Sequence, residues 1–201
     1  MTFISSPDGP SDTNPDILKD DARFYETVGK QIRRQRRHRE LTQAQLASGL
    51  NIRFQQIQKY ECGANKVSLY NYLRICAELP CGPASLLGFL NIVEHIAAIP
   101  TAIVDANKFY DRLGTELRRM RHKVDLTQTE VGDDIGVRFQ QIQKYESGAN
   151  KINMRRYFNM AGVCGVSPTE ALKIAVAAIH NVDRDIIVIG GQSAKRFDRR
   201  S

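Results

Sequence analysis

Residues 53–59 read RFQQIQK, and residues 138–144 read RFQQIQK again. These are the side chains that grip a flat edge of donors and acceptors. Gln55 and Gln56 carry forked amides, Arg53 and Lys59 carry cations, and Phe54 carries an apolar ring. Arg138, Phe139, Gln140, Gln141 and Lys144 repeat the set. A glutamine amide can bond the edge of adenine twice, an arginine or lysine can bond guanine, and a ring can meet a thymine methyl. Catalytic chemistry finds no such footing. His38, His95, His122 and His180 are scattered, with no HExxH and no nucleophile motif, so no catalytic residue and no enzyme is expected. Cys62, Cys76, Cys81 and Cys164 form no CxxC pair, so reduced thiols are expected rather than a metal site or a disulfide framework.

The duplicated segment belongs to a longer repeat. RFQQIQKYECGANK (53–66) and RFQQIQKYESGANK (138–151) differ only at Cys62 against Ser147. At the same offset Phe24-Tyr25 meets Phe109-Tyr110, Gly29 meets Gly114, and Arg33-Arg34 meets Arg118-Arg119. Leu41-Thr42-Gln43 meets Leu126-Thr127-Gln128, and Pro83 meets Pro168, with no gap between. The chain is a tandem duplication, and each copy of ~60–70 residues is long enough to fold as a small domain. The expected organisation is an acidic disordered leader (1–21), a first domain (22–99), a linker (100–106), a second domain (107–181) and a C-terminal tail (182–201).

Both copies read as helices. Val28, Ile32 and Gln35 recur at helical spacing, as do Leu113, Leu117 and Met120. Thr42 with Gln45, and Thr127 with Glu130, fit a capping box that opens a short second helix. That helix ends near Leu50 or Ile135, before a tight turn at Asn51 or Gly136, residue types that tolerate a left-handed backbone. Ala47 and Gly132 are small enough for two helices to cross closely there. In the third helix Ile52, Ile57 and Tyr60 (Val137, Ile142 and Tyr145) share one face, which leaves Phe54, Gln55, Gln58 and Lys59 outward. Gly63 and Gly148 sit where a left-handed C-terminal cap belongs. A fourth helix is expected over 68–79 and 154–163, and a fifth from Pro83 and Pro168.

Helix, turn, helix, with a small residue at the crossing, is a helix-turn-helix pattern. IRRQR, LTQAQLA and NIRFQQIQKYECG, followed by LRRMR, LTQTEVG and GVRFQQIQKYESG, resemble the lambda-repressor/Cro-like (XRE) family of bacterial and phage DNA-binding domains. The resemblance covers about residues 24–90 and 109–175. It implies an all-α chain of two tandem five-helix lambda-repressor-like helix-turn-helix domains, each with its third helix in the major groove of double-stranded DNA. It further implies a phosphate contact for Gln43 and for Gln128, a role that free amides at a helix start would support. Asn65 and Lys66, with Asn150 and Lys151, stand just past the third helix as a second backbone clamp. Arg33, Arg34, Arg37 and Arg39, with Arg118, Arg119, His122 and Lys123, offer further cations on helix one. Glu61 and Glu146 close the third helix, where a carboxylate opposes the helix dipole. The family pattern pairs this glutamate with an arginine of helix one, here Arg36 and Arg121, and these four residues are assigned to folding.

Composition agrees with a polyanionic partner. The formal charge is +7 and the pI about 9.4, although residues 1–21 hold Asp8, Asp12, Asp16, Asp20 and Asp21 against Lys19 alone. No stretch is apolar for the ~18 residues of a membrane span, and no signal peptide opens the chain, so a cytoplasmic location is expected. Residues 86–99 and 171–179 are apolar most of the way round and must be buried on more than one side. That leaves room for a homodimer or a protein partner through the fifth helices or the tail. Pairing of the two fifth helices predicts an inverted repeat in the DNA, and independent units predict a direct one. IIVIGG (186–191) precedes too few residues for a dinucleotide-binding unit, so no cofactor is expected. The leading expectation is a sequence-specific transcriptional regulator whose recognition helices read repeated half-sites. The alternative is a protein-binding antitoxin or antiactivator of the same fold.

Overall fold

The computed structural model describes residues 15–79, 81–90, 92, 96, 99 and 104–180. Within them the chain is all-α. The first unit contains α1 (Asp21–His38), α2 (Gln43–Gly49), α3 (Phe54–Glu61) and α4 (Leu69–Glu78). The second contains α5 (Ala106–Lys123), α6 (Gln128–Asp134), α7 (Phe139–Glu146), α8 (Met154–Val163) and α9 (Pro168–His180). Short 3-10 turns occupy Pro15–Lys19 and Gly88–Leu90.

The caps form as the sequence predicts. The Thr42 hydroxyl accepts from the Gln45 amide at 3.1 Å while the Gln45 side chain accepts from the Thr42 amide at 2.8 Å. Thr127 and Glu130 repeat the box at 3.2 and 2.7 Å. The turn into the third helix is left-handed in both copies, with φ 50° at Asn51 and 68° at Gly136. Gly63 and Gly148 take φ 74° and 72° just past that helix.

One crossing sets the position of the third helices. A Cβ on Gly29 of α1 would stand 2.4 Å from the Tyr60 carbonyl oxygen, and one on Gly114 of α5 would stand 2.6 Å from that of Glu146. Backbone therefore lies against backbone where α1 meets α3 and where α5 meets α7. Phe24, Val28, Ile32, Leu46, Ile57 and Tyr72, with their counterparts, fill the core beneath.

Three expectations are corrected. The segment after Pro83 is not a fifth α-helix among the described residues: turns and the 3-10 turn at Gly88–Leu90 replace it. Gly88 stands where α9 has Lys173, and glycine costs a helix interior about 1 kcal/mol against alanine. The segment is buried all the same, through Leu86, Leu87, Ile92, Ile96 and Ile99. Secondly, α9 does not pair with a fifth helix of the first unit. It packs on α5 and α8 of its own unit and on α4 of the other, and Ala171, Leu172, Ala175, Ala178 and Ile179 are buried there. Thirdly, the expected leader is too long. Residues 15–19 form a turn with Ile17 buried, Asp20 caps α1 by accepting from the Arg23 amide, and Asp21 begins the helix. Residues 1–14 of the leader, 100–103 of the linker and the tail 182–201 lie outside the described residues.

The units meet through equivalent residues. Ser68 and Asn153 form an antiparallel bridge, with the Leu69 amide donating to the Ile152 carbonyl and the Met154 amide to the Val67 carbonyl, each at 3.3 Å.

Candidate nucleic-acid interface

The third helices present one face outward. Phe54 is 50% exposed and Phe139 is 46% exposed, an unusual state for aromatic rings, although single exposed apolar side chains are ordinary on a surface. Around them Arg53, Gln55 and Lys59, with Arg138, Gln140 and Lys144, are exposed too. Gln56 and Gln141 differ from the rest of the predicted reading set. They are half-buried, and each side-chain oxygen accepts from the amide of Asn65 or Asn150 at 3.4 Å. The Asn65 backbone amide also returns to the Lys59 carbonyl at 3.2 Å, and that of Asn150 to Lys144 at 3.1 Å. The loop carrying the expected phosphate clamps is thus folded back onto the end of the helix that carries the expected reading side chains.

Beneath this face lies a buried ion pair. Arg36 meets Glu61 with both edges, Nε to Oε1 at 2.5 Å and Nη2 to Oε2 at 3.0 Å. Arg121 meets Glu146 at 2.6 and 2.9 Å, and all four residues are at most 7% exposed. The remaining guanidinium nitrogen donates to the carbonyl of Leu41 (2.6 Å) or Leu126 (2.8 Å), just before the second helix. Three segments are therefore tied at one point. The glutamate hydrogen bonds raise the pKa of Arg36 and of Arg121 against the opposing effect of burial. Burial by itself would raise the Glu146 carboxyl, but bonds from Arg121 and Gln128 outweigh it and hold the group below its ordinary value.

Gln43 and Gln128 belong to this network. Each donates an Nε2 hydrogen to the glutamate, Oε2 of Glu61 or of Glu146, at 2.8 Å. The residues expected at phosphate and those expected in the ion pair are thus one connected group. An amide nitrogen has two hydrogens, so each glutamine keeps one for another acceptor.

The two lysines expected to clamp the DNA backbone are not equivalent. Lys66 forms an ion pair with Asp21, and Asp21 also holds Arg155 of the other unit. Burial opposes ionisation of Asp21, and the two cations prevail to lower its pKa. In the second copy Ala106 stands in the place of Asp21, and Lys151 is exposed. Arg33, Arg34, Arg37 and Arg39, with Arg118, Arg119, His122 and Lys123, are exposed along helix one. The Asp21–Arg155 contact and its counterpart at Tyr70 went unread in the sequence. Their signal was a mismatch: Asp21 against Ala106, and Tyr70 against Arg155, inside closely matching copies.

The helix-turn-helix family model matches residues 32–86 and again 117–170, more than half of the chain. The chain belongs to this helix-turn-helix family. Each matched segment contains one turn at Asn51 or Gly136 and one third helix. Among similar curated proteins is the uncharacterized HTH-type transcriptional regulator y4wC of Sinorhizobium fredii, 32% identical over 72 residues, which are 36% of this chain and 50% of that protein. The HTH-type transcriptional regulator y4aM of the same organism is 39% identical over 57 residues, 28% of this chain and 40% of the relative. A transcriptional regulator in the ATPase CF(0) region of Rhodospirillum rubrum is 41% identical over 54 residues, 27% of this chain and 50% of the relative. The chain thus spans half or less of the length of these relatives. No solved structure matches significantly. Among the described residues no helix is long and apolar enough to cross a membrane.

Proposed function

We propose that the chain is a sequence-specific DNA-binding transcriptional regulator whose recognition helices, α3 and α7, read repeated half-sites in the major groove. The observation that carries this reading is the pair of FQQIQKYE helices, identical in sequence, each with its Phe, first Gln and Lys exposed on one face. Arg53, Gln55 and Lys59, with Arg138, Gln140 and Lys144, bond base edges, and Phe54 and Phe139 meet thymine methyls. Gln56 and Gln141 bond a base edge through the amide hydrogens that Asn65 and Asn150 leave unused. Gln43 and Gln128 give their second amide hydrogen to phosphate, and Asn65, Lys66, Asn150 and Lys151 hold the backbone on the other side. The regulators named among the relatives support the same reading.

Phosphate binding releases counterions, so affinity for duplex DNA should fall steeply with salt. With 6–10 phosphates neutralised, the loss between 50 and 200 mM salt is about 10³–10⁵-fold. Gel shifts with mixed genomic fragments at graded potassium salt measure it. No binding to any fragment at low salt would favour the protein-binding antitoxin or antiactivator instead.

A further inference from the structure

The geometry points to a single chain that is a complete dyad reader: α3 and α7 are related by an approximate twofold axis, and the DNA site is an inverted repeat bound by one chain. This rests on the DNA reading proposed above and adds the symmetry and the stoichiometry of the site.

The symmetry follows from reciprocal contacts. Ser68 and Asn153 are the same position in the two copies, and they pair with each other. Leu69 donates to Ile152, and its counterpart Met154 donates to Val67, the counterpart of Ile152. A contact from i to j matched by one from j to i is the mark of an isologous, twofold interface; a head-to-tail arrangement lacks it. Side chains repeat the pattern independently. The Arg155 amide donates to the Tyr25 hydroxyl at 3.4 Å, while Tyr70, in the place of Arg155, lies with its ring centroid 6.3 Å from that of Tyr110, the counterpart of Tyr25. Arg155 also donates to the Leu18 carbonyl at 2.6 Å, and Tyr70 to the Val104 carbonyl at 3.0 Å, on the matching approach to each first helix.

The length of chain between the bridge and each third helix limits how far that helix can stand from the axis. Ser68 follows Cys62, the cap of α3, by six residues, so the end of that helix is at most ~22 Å from the axis. Asn153 stands in the same relation to α7. The ~34–36 Å between successive major grooves on one face of DNA fits within that reach. When a twofold pair of helices reads one duplex, its axis coincides with a dyad of the DNA, and the half-sites face each other.

The two sides of the interface are chemically unlike, which favours pairing of unit one with unit two. On one side Asp21 holds Arg155, which is only 16% exposed. On the other, the Tyr70 ring lies tilted by 45° against that of Phe109, with centroids 5.4 Å apart. Two second units set together would leave Arg155 facing Ala106 with no carboxylate. Two first units would leave Asp21 facing Tyr70.

The test uses the full chain and the duplex that it enriches from a random library. Native mass spectrometry of the complex should find one chain per duplex, and the enriched site should contain two inverted copies of a short sequence. Turning one copy round should lower affinity roughly 100-fold or more, since each mismatched base pair takes about tenfold. Two chains on one site, or tighter binding to a direct repeat, would overturn the single-chain dyad. If no sequence is enriched, the DNA reading itself fails, and this proposal with it.

Discussion

Replacing Arg36 or Arg121 with alanine is expected to destabilise the affected unit by about 3–5 kcal/mol, because the partner glutamate is left buried without its bidentate counter-charge. Arg121→Ala should fall at the lower end, since the more exposed Arg118 still stands 3.6 Å from Glu146. Glu61 and Glu146 are 5% and 4% exposed, and Gln43 and Gln128 can return only one hydrogen bond to each. The arginine also holds the Leu41 or Leu126 carbonyl, so its loss frees the start of the second helix and the end of the third together. Acid should act on the same point in the second unit. The folded pKa of Glu146 lies below the ordinary 4.5, so its contribution is fully present above pH 4.5 and is lost as pH falls through the lower folded value. Urea titrations followed by circular dichroism, at neutral pH and below pH 4.5, measure both effects. A loss under about 1 kcal/mol for either variant would show that the pair is exposed to solvent in effect, as surface pairs are.

Gln55→Ala combined with Gln140→Ala is expected to cut discrimination between the preferred site and unrelated DNA by roughly 2–6 kcal/mol, at about 1–3 kcal/mol for each bidentate base contact. Binding to unrelated DNA should hardly change. Lys66→Ala with Lys151→Ala should instead weaken all sequences alike and lower the salt slope by about 1 for each phosphate that is no longer neutralised. The structure separates the two lysines further. Asp21 already pairs with Lys66 but has no counterpart at Ala106, so Lys151→Ala should cost more affinity than Lys66→Ala. Competition binding with specific and unrelated duplexes at several salt concentrations resolves these outcomes. Equal losses on both kinds of DNA for the glutamine variant would remove Gln55 and Gln140 from the reading surface.

Much of this was legible because the determinants are local. Thr42 and Thr127 need a partner only three residues away, and the left-handed turns depend on the residue types Asn51 and Gly136 alone. The ion pairs were legible for another reason: they came with the family resemblance, and both form. The fifth helix of the first unit was misread because its apolar residues suit a buried helix, while a glycine stands at position 88 and the described residues there form turns and a 3-10 turn instead. Nor did the apolar circumference of α9 reveal its neighbour, since any apolar surface would satisfy it; α4 of the other unit does so. Gln43 and Gln128 were read for a ligand alone, yet they also brace the glutamates. The interface between units was hidden by the closeness of the copies, and only the departures at Asp21, Ala106, Tyr70 and Arg155 mark it.

The central claim is that α3 and α7 read DNA sequence, and chromatin immunoprecipitation with sequencing of the full chain tests it most directly. The account predicts discrete genomic peaks sharing one short motif that occurs twice, about one helical turn apart. Peaks without a shared motif, or enrichment that survives unchanged when Gln55 and Gln140 are both alanine, would contradict it.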